Sequence, residues 1–192
     1  MSKITIYLLF VLVALVLVVI VPSFFGEDDN KKKKFSQLKS KDIDLLPDEV
    51  LESAVCQWLF AKIDSKGTTE VPIIMALPKP CTYFYSVYVV TEEIFNGGFS
   101  QMYINNTRFF SRSAMEGFYS MGANDACQIM EKANKIYQEY IKDDDSIIRL
   151  AGICEIKELE ELTTQFTQCE DIKNLSQFII KYIRDNKDFF GD

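Results

Sequence analysis

The first apolar stretch of the chain is longer than any later one. Residues 4–21 contain no charged side chain, and the stretch continues to Phe25, which gives 22 residues. A helix of that length rises about 33 Å, whereas the hydrocarbon core of a bilayer is about 30 Å thick. The pattern predicts a transmembrane anchor over residues 1–25, in contact with the lipid bilayer through residues 4–25. A cleaved signal peptide and a buried apolar helix stay open as alternatives, although the apolar core of a signal peptide is normally shorter.

The charges on either side of this stretch predict its orientation. One lysine, Lys3, precedes it, whereas six lysines follow it: Lys31, Lys32, Lys33, Lys34, Lys39 and Lys41. Positively charged flanks stay on the cytoplasmic side of a membrane. We therefore expect a single-pass membrane protein whose soluble domain faces the cytoplasm. The opposite orientation stays open, because a short N-terminus with one lysine also describes an ordinary signal anchor.

The apolar residues of the remaining chain follow a helical pattern. Residues 26–45 are mostly polar and charged, and we expect them to form a linker before one globular domain of residues 46–192. Apolar residues recur there at steps of three and four, as in helices that bury one face. The predicted helices lie near residues 50–63, 83–95, 99–105, 112–121, 124–142, 146–166 and 171–187. The predicted fold class is thus all-α, a single transmembrane helix followed by a multi-helix domain, although the run 83–90 would also suit a strand.

The composition argues against most kinds of enzyme. The chain contains no histidine, which removes the commonest general base near neutral pH and the catalytic triads that depend on it. Its five cysteines lack the paired spacing of a metal site, and no phosphate-binding loop or dinucleotide fingerprint is present. We expect a protein without catalytic activity, cofactor or metal. An enzyme that uses carboxylate or thiol chemistry stays open as an alternative.

The charge of the domain predicts the kind of partner it binds. From Phe35 onward the chain has 16 Lys and Arg against 25 Asp and Glu, a net charge of −9. Such a domain is a poor ligand for nucleic acid and a better one for a protein with a basic surface. Its oligomeric state does not follow from the sequence. The candidate acidic surface comprises six carboxylates: Asp143, Asp144, Asp145, Glu158, Glu160 and Glu161.

A glycine pair interrupts the helical pattern near the middle of the domain. Gly97 and Gly98 follow Asn96, and glycine readily takes the positive φ that a chain reversal needs. Glu92 and Asn96 are one helical turn apart, as are Gln101 and Asn105, so that each pair could share a face. The segment therefore predicts either a structural turn or a polar binding site. The residues of this candidate structural or partner motif are Glu92, Asn96, Gly97, Gly98, Phe99, Gln101 and Asn105.

The same segment resembles a known family. The sequence EEIFNGGFSQ at residues 92–101, the following Asn105 and the sequence MGA at 121–123 are similar to the DNA mimic protein 19 family. The ending FIIKYIRDNK at 178–187 resembles the closing helix of that family, and the resemblance covers roughly residues 48–190. It implies an all-helical acidic domain without known catalysis. It also implies that a member can occupy the DNA-binding surface of a regulator, so DNA mimicry stands beside general protein binding as a hypothesis.

Overall fold

The computed structural model describes residues 35–64, 70–142 and 152–191. The fold described below belongs to one compact unit that begins at Ser36. Its α-helices are α1 (Ser40–Ile43), α2 (Asp48–Asp64), α3 (Glu70–Met75), α4 (Lys79–Ile104), α5 (Ser111–Met121), α6 (Asn124–Ile141), α7 (Lys157–Gln168), α8 (Glu170–Lys173) and α9 (Leu175–Asp185). Short 3-10 helices occupy Asn106–Phe110, Gly152–Glu155 and Lys187–Phe189. No strand occurs in these three ranges, so the all-α prediction for the domain is confirmed.

The predicted transmembrane helix is not part of this fold. In the ranges that the structure covers, no helix is long and apolar enough to cross a membrane. The 26-residue helix α4 carries Glu92 and Glu93 and loses helical geometry at its glycine pair, and its apolar residues form the core of the domain. The predictions of a single-pass membrane protein and of a membrane localisation are corrected accordingly. Residues 4–25, on which both predictions rested, lie outside the described residues.

Helix α4 lies at the centre of the domain. It packs against α5 and α7, while α6 lies against α5 and α7, and α9 contacts α2 and α5. Large buried aromatic side chains fill the space between these helices: Phe84, Tyr85, Phe99, Tyr103, Phe110, Phe118, Phe166 and Phe190. The ring of Phe166 meets the rings of Phe99 and Phe118 edge to face, at centroid distances of 5.6 and 5.7 Å. These aromatic contacts fix α7 against α4 and α5.

Two predicted helix boundaries differ from the structure. Of the helix predicted over 146–166, residues 146–151 lie outside the described residues. Gly152–Glu155 form a 3-10 helix, and the α-helix begins only at Lys157, because Ile156 before it has an extended backbone with φ −83° and ψ 99°. Apolar residues continue at a spacing of three through this break, from Ile153 to Leu162, so periodicity alone could not reveal it. The helix predicted over 171–187 is divided at Asn174. The apolar stripe predicted in that segment is nevertheless buried: Ile172, Leu175, Ile179, Tyr182 and Ile183.

The C-terminal tail, residues 187–191, closes the fold against its first helices. Phe190 is fully buried and meets Phe84 edge to face, while the thiol of Cys81 donates to the carbonyl oxygen of Phe189 at 3.0 Å. Gly191 has φ +101°, and a Cβ there would lie 2.6 Å from backbone atoms of Lys39 and Ser40. Leu38 and Ile43, within the segment expected to be a linker, are buried in the same compact unit.

A single arginine holds the beginning of the domain against helix α9. The guanidinium of Arg184 donates to the carbonyl oxygens of Ile43 and Leu46, at 2.9 and 3.0 Å, and also to the carboxylate of Asp48. The planar guanidinium has five donors, so one side chain can satisfy two carbonyls and a carboxylate together. The segment between α1 and α2 is thereby fixed to α9.

A carboxylate from another helix caps the N-terminus of α6. Asp171 in α8 accepts hydrogen bonds from the backbone N–H groups of Asp125 and Ala126 through Oδ2, at 2.7 and 3.2 Å. The first N–H groups of a helix have no partner within it, and a negative charge there also interacts favourably with the helix dipole. Asp171 therefore supplies the cap that Ala123, at the N-cap position, cannot supply.

Replacing Asp171 with Ala should lower the free energy of unfolding by about 1 kcal/mol, the usual loss for a missing N-cap. Urea unfolding followed by circular dichroism would measure the change. Asp171→Asn is the matched control, because its amide oxygen can still accept these hydrogen bonds. Equal losses in the two variants would show that the charge rather than the cap is important.

Candidate functional site

The glycine pair breaks α4, as the sequence predicted. Gly98 has φ +77° and ψ −179°, a conformation almost restricted to glycine, whereas Gly97 has φ −158° and ψ 20°. The helix resumes at Phe99, whose N–H donates to the hydroxyl oxygen of Thr163 in α7 at 3.0 Å. That hydroxyl in turn donates to the carbonyl oxygen of Leu159 at 2.8 Å. A side chain that lies 64 residues away therefore caps the second half of α4.

Three polar side chains bridge the break on its surface side. The amide nitrogens of Gln101 and Asn105 both donate to Oε1 of Glu93, each at 2.6 Å. We call Glu93, Gln101 and Asn105 the amide clamp. Gly97 lies between them in sequence, and a Cβ there would stand 1.9 Å from Oε1 of Gln101. The absence of a side chain at Gly97 therefore gives Gln101 the room to reach Glu93.

The sequence analysis places Glu92 in this motif and pairs it with Asn96, but it does not include Glu93. Gln101 and Asn105 do lie together, but their acceptor is Glu93 and not Glu92, which is exposed. The sequence spacing could have predicted the role of Glu93, because residues 93, 97, 101 and 105 follow one another at steps of four and so share one helical face. Thr163 had no such signal, since its contact with Phe99 depends on how α7 packs.

The other residues of the motif have separate surroundings. Phe99 is fully buried between Tyr103 and Phe166. Glu92 and Asn96 are exposed, and the negative charge of Glu92 adds to burial in raising the pKa of Glu52 on α2. The motif thus combines a core residue, a helix break and the amide clamp. Its role in binding a partner stays a prediction.

Removing the acceptor of the clamp should destabilise the domain. For Glu93→Ala we expect a loss of about 1–2 kcal/mol in the free energy of unfolding, because two hydrogen bonds to a charged acceptor disappear. The neighbouring substitution Glu92→Ala is the matched control, with an expected change within about 0.5 kcal/mol. Thermal and urea unfolding of the two variants would measure the difference, and similar losses would contradict the role of the clamp.

Of the six carboxylates in the candidate acidic surface, the three glutamates lie on α7. Asp143, Asp144 and Asp145 lie outside the described residues. Glu158 and Glu161 are exposed and line a groove of about 400 Å³ between α6 and α7, with Lys132 and Lys135 across from them. Glu160, also exposed, does not line this groove. The two lysines reduce the negative potential at Glu158 and Glu161, which composition alone could not show.

Comparison with known proteins identifies the family. A protein-family model described as DMP19-like protein matches residues 75–186. The chain belongs to the DMP19-like protein family. This confirms the resemblance to the DNA mimic protein 19 family that the sequence predicted. Neither the comparison with curated proteins nor the comparison with solved structures gave a match.

The family match covers the unusual features of α4. The DMP19-like region extends from the last residue of α3 to just beyond α9, and so includes the helix break, the amide clamp and Thr163. Helix α2 and the C-terminal tail lie outside it. The matched region of this DMP19-like protein therefore contains the residues that break and stabilise α4.

Four thiols of this DMP19-like protein have a raised pKa. Burial raises the pKa of Cys81 to about 12, and burial together with the charges of Glu52 and Glu92 raises the pKa of Cys56 well above its usual range. Burial is also the main cause of a raised pKa at Cys127 and Cys169. A thiolate is the reactive form of cysteine, so these four side chains are poor nucleophiles. Within the described part of the chain, no three Cys, Asp or Glu side chains are arranged to hold a metal ion.

Proposed function

We propose that this DMP19-like domain is a non-enzymatic binding domain whose partner is a protein with a basic surface. The observation that carries the proposal is how the charges are distributed. Six ion pairs occur among the described residues, and in each of them one positive and one negative charge compensate each other. The pairs are Arg112–Glu116, Lys135–Glu139, Lys173–Glu170, Lys181–Asp185, Arg184–Asp48 and Lys187–Asp44. The net charge of −9 from Phe35 onward therefore rests on carboxylates outside these pairs.

Several of these unpaired carboxylates are well placed to meet a partner. Glu155, Glu158, Glu160 and Glu161 are exposed at the beginning of α7 and in the turn before it, and none of their carboxylates forms an ion pair or a hydrogen bond within the described ranges. Exposed like charges that lack internal partners attract a complementary surface and speed association with it. The raised pKa values of the buried thiols further support a role in binding and not in catalysis.

Membership of the family favours DNA mimicry as the specific form of this binding. In that case the domain occupies the DNA-binding surface of a regulator, whose Lys and Arg side chains normally contact phosphates. Glu158 and Glu161 are three residues apart on α7, about 4.5 Å along the helix axis, a spacing at which both can meet one basic patch. Lys132 lies across the groove without an ion pair in the described ranges and would oppose such a contact, so Glu160, which does not line the groove, is the more effective charge.

Capture experiments at different salt concentrations would test the proposal. The full chain, immobilised on beads, should retain its partner at low salt and release it as salt rises, since charges on two surfaces are screened beyond about 8 Å at physiological ionic strength. Duplex DNA should displace a regulator that is bound by mimicry. Capture that is insensitive to both salt and DNA would contradict both forms of the proposal.

Charge reversal would locate the contact. Replacing Glu158, Glu160 and Glu161 together with Lys should abolish capture without a change in the circular dichroism spectrum. Reversal of three exposed carboxylates on other parts of the domain, Glu49, Asp125 and Asp188, provides a control with the same total charge. Equal loss in both triple variants would indicate attraction by net charge alone.

A further inference from the structure

A second groove, on the side of α5 away from the core, has an unusual lining. It has a volume of about 320 Å³ and lies between α4, α5 and α6. Its lining includes two tyrosines, two glutamates, a methionine and a cysteine, and no lysine or arginine: Tyr83, Tyr119, Glu116, Glu131, Met115 and Cys127. We call it the tyrosine groove. The groove between α6 and α7, by comparison, has lysines along one wall.

One carboxylate and one ring of the tyrosine groove already interact with cations of the domain itself. The hydroxyl of Tyr83 donates to Oε2 of Glu116 at 2.8 Å, and Nε of Arg112 lies 3.2 Å from the other carboxylate oxygen. Nζ of Lys79 lies over the ring of Tyr83, 5.9 Å from its centroid. These contacts, led by the hydrogen bond from Tyr83, lower the pKa of Glu116. Glu116 is therefore paired with Arg112, and the ring of Tyr83 with Lys79.

The same groove is lined by a second ring and a second carboxylate, Tyr119 on α5 and Glu131 on α6, and neither has a cation among its contacts in the described ranges. Tyr119 is 71% exposed, one of the most exposed large apolar or aromatic side chains among the described residues. Glu131 is exposed and forms no ion pair in the ranges that the structure covers. An aromatic face and a free carboxylate in one concave site attract a cation, through the ring quadrupole and through charge. The groove is therefore complementary to a positively charged group.

We infer that Tyr119 and Glu131 form a receptor for an arginine side chain of a basic protein partner. Arginine fits better than lysine because its planar guanidinium can stack on the ring of Tyr119 and donate two hydrogen bonds to one carboxylate. The methionine and cysteine of the lining offer apolar surface for the methylene stem of that side chain. The inference rests on the proposed function and adds a location, since it places the contact on α5 and α6 and not on α7.

Peptide binding by the full chain would test this inference. The probes are fluorescein-labelled nona-arginine and nona-lysine, followed by fluorescence polarisation at low salt. The native chain should bind nona-arginine more tightly than nona-lysine. Tyr119→Ala and Glu131→Gln should each weaken nona-arginine binding about threefold, and the double variant about tenfold, as expected for a cation–π contact and a partly exposed ion pair. Tyr119→Ala should also remove most of the preference for arginine.

Two control variants keep the test specific. Tyr119→Phe retains the ring and should bind nona-arginine within about twofold of the native chain, because the hydroxyl is not required for stacking. Glu49→Gln removes the same charge as Glu131→Gln from an exposed glutamate outside the groove. Binding weakened equally by Glu49→Gln and Glu131→Gln, and unaffected by Tyr119→Ala, would overturn the inference and leave the proposed function intact.

The remaining outcomes are also decisive. A native chain that binds neither peptide would overturn both the arginine site and the proposed attraction to basic surfaces. A native chain that binds both peptides equally, with equal losses in every variant, would overturn the arginine site alone. Concentration-dependent self-association that Tyr119→Ala abolishes would show that a second copy of the chain occupies the groove, and this too would overturn the inference.

Discussion

Replacing Phe190 with Ala should lower the free energy of unfolding by about 3–5 kcal/mol, the largest loss that we expect from any single substitution discussed. The ring is fully buried and packs edge to face on Phe84 at a centroid distance of 5.9 Å. Truncation removes this apolar surface from the core and leaves a cavity that the surrounding helices cannot fully close. Because a single domain has only about 5–15 kcal/mol of total stability, the variant should unfold at a much lower urea concentration.

The adjacent phenylalanine provides a matched control. Phe189 is 47% exposed, so Phe189→Ala should change the free energy of unfolding by less than about 1 kcal/mol. Its carbonyl oxygen, which accepts from Cys81, remains in the variant. Equal effects of the two substitutions would show that the C-terminal tail does not pack into the core as described.

Replacing Gly98 with Ala should lower the free energy of unfolding by about 1–3 kcal/mol, the usual strain of a side chain in a sparsely populated backbone conformation. At φ +77° and ψ −179° an alanine is strained, and its Cβ would also lie 3.0 Å from the hydroxyl oxygen of Thr163. Relief of that contact would move Thr163 away from the N–H of Phe99. Val at this position should be worse, because its branched side chain is larger.

A second glycine with a positive φ, Gly122, provides a comparison for the loss expected at Gly98. Gly122, which ends α5, has φ +87°, but a Cβ there would be 4.0 Å from its nearest neighbour, Cε1 of Phe178. Gly122→Ala therefore reports backbone strain without crowding. Urea unfolding should show a larger loss for Gly98→Ala than for Gly122→Ala. The reverse order would contradict the larger cost assigned to Gly98, which combines crowding by Thr163 with a ψ of −179° that is less accessible to alanine than the ψ of 8° at Gly122.

Features that depend on nearby residues could be predicted from the sequence. The start of α2 at Asp48 follows from Pro47 and the acids of its first turn, and the bounds of α5 and α6 follow from apolar spacing and Gly122. The break in α4 follows from the glycine pair. Each of these depends on steric and hydrogen-bonding preferences that act over one or two helical turns.

Features that depend on packing between distant segments could not be predicted. No local preference places Thr163 beside Phe99, or Asp171 at the N-terminus of α6. Charge counting identified Glu158 and Glu161 but could not place Lys132 and Lys135 across the groove from them. The prediction of a transmembrane anchor depends on the length of the apolar stretch at residues 4–25, which lies outside the described residues, whereas the helices of the described domain bury their apolar faces against one another.

The cap that Thr163 provides makes the second half of α4 depend on the docking of α7. The N–H groups between Tyr83 and Phe95 find acceptors within the first half of α4, so their hydrogen bonds do not depend on α7. The N–H of Phe99 has its acceptor in α7, and the second half of α4 can therefore be completed only after α7 has docked. In hydrogen exchange, the amide of Phe99 should thus open together with α7 and report its docking, although the two are 64 residues apart in the chain.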